Sequence, residues 1–128
     1  MRDLTEAALT FLGERHLGTL TSLRADGSPH VTPIGFTYDR DADLVRVICD
    51  GGSVKARLAA AGGPAAVCQV DGARWLTLEG RTHVSADPGR VADAVARYAA
   101  RYRPPRDNPR RVVIEIRVDR VYGSRSVM

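Results

Sequence analysis

"HLGTLTSLRADGSPHVTPIGFTYD", residues 16–39, decides the fold. Apolar and polar residues alternate through "HLGTLTSLR" and again through "PHVTPIGFTYD", the period of half-buried strands. Between them lies Ala25-Asp26-Gly27-Ser28, and an Asp-Gly pair between two alternating runs is a strong hairpin signal. Upstream, Asp3 and Glu6 have the spacing of a helix cap with a reciprocating acid. Leu4, Ala8, Phe11 and Leu12 then recur at helical spacing, so a short helix is expected to end near Gly13.

Downstream, "DRDAD" makes a turn into "LVRVICD", a third strand with Leu44, Val45, Val47 and Ile48 apolar. "CDGGSVKARLAAAGG" (49–63) reads as a loop and short helix stopped by Gly62-Gly63-Pro64. "AAVCQV" is a fourth strand, and Asp71-Gly72 turns it into "ARWLTLEGRTHVS", bent or bulged at Gly80. Asp87-Pro88 starts a helix that ends near Arg103, with Val91, Val95, Tyr98 and Tyr102 as its buried face. "RRVVIEIRVDRVYG" is the last strand, with Val113, Glu115, Arg117 and Asp119 on one face and Val112, Ile114, Ile116 and Val118 on the other. Six strands in hairpin order, with helices after the third and before the last, predict a mainly β protein, a small antiparallel barrel with added helices. Residues 1–128 form one domain. Such a barrel is too small to surround a large ligand, so a site is expected on its outer wall, between two copies.

The chain has 128 residues, 44% of them hydrophobic and 27% charged, ordinary for a globular domain. No run reaches the ~20 apolar residues of a membrane span, and acids stand where a signal peptide needs an apolar core, so a cytoplasmic protein is expected. Cys49 and Cys68 are isolated and read as buried small hydrophobes. His16, His30 and His83 are scattered without metal-ligand spacing, which gives no metal site. Nucleophile-elbow, Walker and Rossmann motifs are absent, so any enzymatic reactivity would come from a bound cofactor.

A net charge of +4 points to an anionic partner. Arg101, Arg103, Arg106, Arg110 and Arg111 form a stripe. Nucleic acid is disfavoured there, because Tyr98 and Tyr102 fall at core spacing and leave no free stacking platform. Lys55 is the only lysine among 19 basic residues, one step inside a helix where a cation opposes the dipole. Two readings stay open: Ser53 simply caps the helix while Lys55 is solvated, or Gly51, Gly52, Ser53 and Lys55 cradle a phosphate. Pro33 and Gly35 interrupt a good strand, as a protected edge or as a backbone surface for a flat ring. Trp75, the only tryptophan, reads as core, dimer interface or a ring stacked near a cofactor.

"FLGERHLGTLTSLRADGSPHVTPIGFTYD", "GGSVKA", "QVDGARWLTLEGR" and "RYRPPRDNPRRVVIEIRVDRVYGS" together resemble the pyridoxamine-phosphate-oxidase-like split-barrel family (the FMN-binding split barrel). Within it they are similar to the actinobacterial branch that uses the deazaflavin coenzyme F420, and there to its biliverdin-reducing subgroup. The resemblance implies a homodimeric split β-barrel with cofactor sites at the subunit interface. It implies Gly51, Gly52, Ser53, Val54 and Lys55 at the cofactor phosphate, Thr32, Pro33, Ile34 and Gly35 along the deazaflavin, Ile48 beside it, and Gln69 and Trp75 from the partner subunit. The arginine stripe would take the polyanionic oligoglutamate tail. The implied activity is hydride transfer from reduced F420 to a conjugated tetrapyrrole such as biliverdin, with the proton donor unassigned. Flavin-phosphate relatives often carry an arginine and a lysine around this loop where this chain has Ser53 and Lys55, which counts against pyridoxamine-phosphate oxidation and against FMN, the alternative cofactor. A carrier of FMN, heme or F420 without turnover is the alternative function.

Overall fold

The chain's hairpin turns build a single curled sheet in the computed structural model, which describes residues 4–128. Its elements are α1 (Glu6–Gly13), β1 (Gly18–Leu23), β2 (Pro29–Ile34), β3 (Thr37–Asp39), β4 (Leu44–Asp50), α2 (Val54–Ala60), β5 (Pro64–Asp71), β6 (Arg74–Ser85), α3 (Pro88–Arg101) and β7 (Arg111–Gly123), followed by a 3₁₀ turn at Arg125–Val127. The strand order is β2-β1-β5-β6-β7-β4-β3, antiparallel throughout. The edge strands β2 and β3 are separated in the chain only by Gly35 and Phe36. The sheet therefore curls until its two edges meet end to end at that link.

This makes seven strands where the alternation of residues 29–39 predicts one fewer. The cause is tertiary. The Phe36 N–H donates to the Tyr102 hydroxyl at 3.2 Å, and its carbonyl accepts from the Arg101 guanidinium. A peptide bonded to the end of α3 has nothing left for a ladder. Gly35 is required there, because a Cβ would sit 2.9 Å from the Tyr98 ring and 3.2 Å from that of Tyr102.

Other signals translate directly. Gly27 has φ +86 in the first hairpin, a conformation that suits glycine. β6 bulges between Glu79 and Gly80, where a Cβ on Gly80 would lie 1.9 Å from the Arg117 carbonyl oxygen. α1 is capped by Thr5, whose side chain accepts from Ala8 N at 3.1 Å; the Asp3 cap lies outside the described residues.

Inside the barrel, Phe11, Leu20, Phe36, Val45, Val47, Val67, Leu76, Leu78, Ile114 and Ile116 are fully buried, each contributing about 1.5–3 kcal/mol. α3 lies on the wall, not in the core. Only Ala94 is fully buried, and the expected stripe of Val91, Val95, Tyr98 and Tyr102 is half-buried. The helix covers part of the second face of β7, so Val113 and Glu115 are buried as well as Ile114 and Ile116. Glu115 accepts there from Arg90 at 2.9 Å. Cys49 and Cys68 are free thiols and half-buried, not core residues as expected.

Candidate functional site

β4 ends at Asp50, and its carboxylate organises the loop that follows. Oδ2 accepts from Gly52 N at 2.8 Å. Oδ1 accepts from Asn108 Nδ2 at 3.2 Å and faces the Arg110 guanidinium at 3.1 Å. The Asp50 carbonyl accepts from both Ser53 N and Ser53 Oγ, while Gly51 N donates to the Arg110 carbonyl at 2.8 Å. The Gly52 N–H, then Asn108 and Arg110, hold the Asp50 carboxyl below its ordinary value. Ser53 caps α2, its hydroxyl accepting from Ala56 N at 3.2 Å. The hydroxyl proton and the N–H groups of Gly51, Gly52 and Ser53 are thus all spent on the chain itself. The glycines do not form an open anion nest.

Lys55 differs from every one of these groups. It is half-buried, no acid shares the first turn of α2, and among the described residues its ammonium has no hydrogen bond and no ion pair. It faces a cleft of about 260 Å³ lined by Pro33, Ile34 and Gly35, by Val47, Ile48, Cys49 and Asp50 of β4, and by Tyr98, Pro105, Asn108 and Arg111. Arg111 donates to the Arg106 carbonyl, and no carboxylate pairs with it among the described residues. The cleft lining thus combines two cations, Lys55 and Arg111, with the Asp50 carboxylate and the apolar side chains of Ile34, Val47 and Ile48. Burial pushes the Cys49 thiol up, which makes it part of the apolar wall and a poor nucleophile. A second cavity of about 450 Å³ adjoins the cleft through shared Tyr98 and Pro105, and is lined further by Arg103, Pro104 and Arg106. Together they give a space of ligand size lined by four cations, Lys55 and Arg111 in the first cavity and Arg103 and Arg106 in the second.

Of the residues singled out in the sequence, Pro33, Ile34, Gly35, Ile48 and Lys55 come together in this cleft. Gly51, Gly52, Ser53 and Val54 form its shoulder, and Thr32 lies one residue outside. Gln69 is elsewhere. It is fully buried, its amide donating to the Phe11 carbonyl at 2.8 Å and accepting from Arg101 at 2.5 Å. With no exposed surface, its side chain has no atom to offer a second subunit. Trp75 stands on the outer face of the sheet, edge-on to Tyr122 at 6.0 Å between centroids.

The arginine stripe divides. Arg101 turns inward, donating to the Glu14 carbonyl at 2.9 and 2.7 Å, to the Phe36 carbonyl and to Gln69, and stacking on Phe36 and Tyr102. Arg103 and Arg106 stay exposed beside the second cavity. Asp50 and Asn108 line the cleft without having been singled out, while Tyr98, read as core, and Arg111, read as part of the stripe, join them there. An Asp before two glycines is an Asx-turn signal that reveals the first, but no local pattern brings Asn108 to it from 58 residues away. Glu14, His16 and Asp71 place ligand atoms within 4.8 Å of one another. The Arg74 guanidinium already fills that space, donating to both oxygens of Glu14 at 3.0 and 2.8 Å and to Asp71.

A curled antiparallel sheet with a cationic, half-apolar cleft on its wall defines a cofactor-binding split barrel. The chain belongs to the pyridoxamine 5'-phosphate oxidase family, whose sequence pattern matches residues 4–125. It is 57% identical over 125 residues to the F420H(2)-dependent biliverdin reductase of Mycobacterium tuberculosis (strain CDC 1551 / Oshkosh), covering 98% of this chain and 91% of that protein. Among solved structures, an F420 reductase matches with a TM-score of 0.73 at 25% identity, over 93% of this chain and 98% of its own. A conserved hypothetical protein from Mycobacterium tuberculosis shares the fold, with a TM-score of 0.80 at 20% identity over 94% and 84% of the two chains.

Proposed function

We propose that the chain is a reductase that uses reduced coenzyme F420 to deliver a hydride to biliverdin. Identity of 57% along 98% of the chain to a protein of that activity supports the reading. The observation that carries it is the half-buried ammonium of Lys55, unpaired among the described residues, in a cleft that Ile34 and Ile48 also line. That donor set fits a coenzyme with a flat ring, a phosphate and an acidic tail. When bound, the reduced deazaflavin supplies a hydride for an electrophilic bridge carbon of the tetrapyrrole.

The chain's own residues bind and orient. Lys55, with Arg111, holds the phosphate, and the shoulder from Gly51 to Val54 shapes its approach. The backbone from Thr32 to Gly35 lies along the ring, and Ile34 and Ile48 keep water from it. Arg103 and Arg106 take the tail carboxylates.

The working form is a homodimer in the cytoplasm. Val31, Val70, Trp75 and Tyr122 are exposed on the outer face of the sheet and give a second copy an apolar surface to cover, with Trp75 the residue that reaches the partner. Two free thiols suit a reducing compartment. No helix among the described residues is long and apolar enough to cross a membrane.

Titration of the purified chain with F420 and FMN, then addition of biliverdin to the reduced complex, tests this. Binding of F420 with bleaching of biliverdin is expected. Binding without turnover would make the chain a carrier, and tighter binding of FMN would overturn the coenzyme assignment.

A further inference from the structure

The cationic corner contains a carboxylate that the proposed function does not use. Asp50 lines the same cleft as Lys55 and Arg111, and its Oδ2 occupies the Gly52 N–H, the donor a phosphate would otherwise take. Asn108 at 3.2 Å and Arg110 at 3.1 Å contact the other oxygen, so both carboxylate oxygens are engaged by the chain. Gly51 N, Ser53 N and the Ser53 hydroxyl are likewise already bonded within the chain.

A phosphomonoester such as that of FMN carries about two charges above its second pKa near 6 and three terminal oxygens that need donors. A phosphodiester, the linkage in F420, carries one charge and exposes two such oxygens. This corner offers side-chain cations, a spent loop and a fixed negative charge. We infer that Asp50 is a specificity-determining residue, which makes the corner accept a singly charged phosphodiester and gain nothing from the second charge of a monoester. This rests on the proposed placement of the phosphate at Lys55.

The test compares Asp50→Asn with the native chain by fluorescence titration against FMN, riboflavin and F420. The amide oxygen still accepts from Gly52 N, while the charge and the acceptor facing Asn108 and Arg110 are both removed. The ratio of riboflavin to FMN dissociation constants reads what the monoester phosphate contributes. It is expected to stay under about threefold in the native chain and to rise at least tenfold in the variant, while F420, with half the charge at its phosphate, gains by roughly the square root of that factor, about threefold. An unchanged ratio overturns the assignment, and so does an equal gain for FMN and F420. Asp50→Ser, whose hydroxyl can also accept from Gly52 N, gives the same readout if the amide variant does not fold. Failure of the native chain to bind F420 would sink the coenzyme reading separately, because the FMN-to-riboflavin ratio still decides the role of Asp50.

Discussion

Lys55 and Arg101 are both half-buried cations beside the wall helix α3, and neither pairs with a carboxylate among the described residues. Arg101 has its donors on the Glu14 and Phe36 carbonyls and on Gln69, and its flat face on Phe36 and Tyr102. Lys55 has no acceptor among the described residues. The difference separates a structural cation from one whose donors are free for the proposed ligand: what matters is how many donors the chain itself has left unspent. Desolvation lowers the pKa of Arg101, yet an arginine so placed remains charged and holds the link between β2 and β3 in place.

The largest effect should follow from removing the spent cation. Arg101→Ala leaves buried carbonyls and the Gln69 amide without donors, and should cost about 3 kcal/mol in chemical denaturation. A loss below about 1 kcal/mol would mean that the carbonyls find water. Lys55→Ala should do the reverse, weakening F420 binding by about 1.5–3 kcal/mol, roughly ten- to a hundredfold. Its stability should move by no more than about 0.5 kcal/mol; a Lys55 variant that unfolds would erase the contrast. Gly35→Ala tests the floor between the two cations. The new methyl would press on Tyr98 at 2.9 Å, so a destabilisation of about 1–2 kcal/mol is expected, measurable as a lower melting temperature.

A spent cation on the surface sharpens the same point with the smallest effect. Hydrogen bonding by Arg74, then by His16, holds the Glu14 carboxyl down to about 2 from an ordinary value of 4.5. A depressed acid stabilises the fold above its unfolded value and loses that contribution as pH falls through the folded one. Stability should therefore decline between about pH 4.5 and 2, and Glu14→Gln should flatten the decline. An unchanged pH profile in that variant would show that the Arg74 contact is solvated away.

Much of the fold was legible because its signals are local. Asp26-Gly27 and Asp71-Gly72 make the expected turns, Gly80 makes the bulge, and Asp87 caps α3 through Arg90 N at 3.0 Å. The break at Gly35–Phe36 was not, because Tyr102 imposes it from 66 residues away. The site divides the same way. Lys55 stands out by type and position alone, and Pro33, Ile34, Gly35 and Ile48 join it in the cleft. Composition could not separate Arg101 from Arg103 and Arg106, since burial alone distinguishes them. Gln69 looks available in an alternating strand until the inward face and Arg101 are known.

Whether the unspent lysine anchors the coenzyme of a biliverdin reductase is tested most directly by following the oxidation of reduced F420 on addition of biliverdin, with the native chain and with Lys55→Ala at varied coenzyme. Protein-dependent oxidation by the native chain is expected, and in the variant a KM for F420 raised ten- to a hundredfold with kcat largely kept. No oxidation by the native chain, or an unaltered KM in the variant, would contradict this reading.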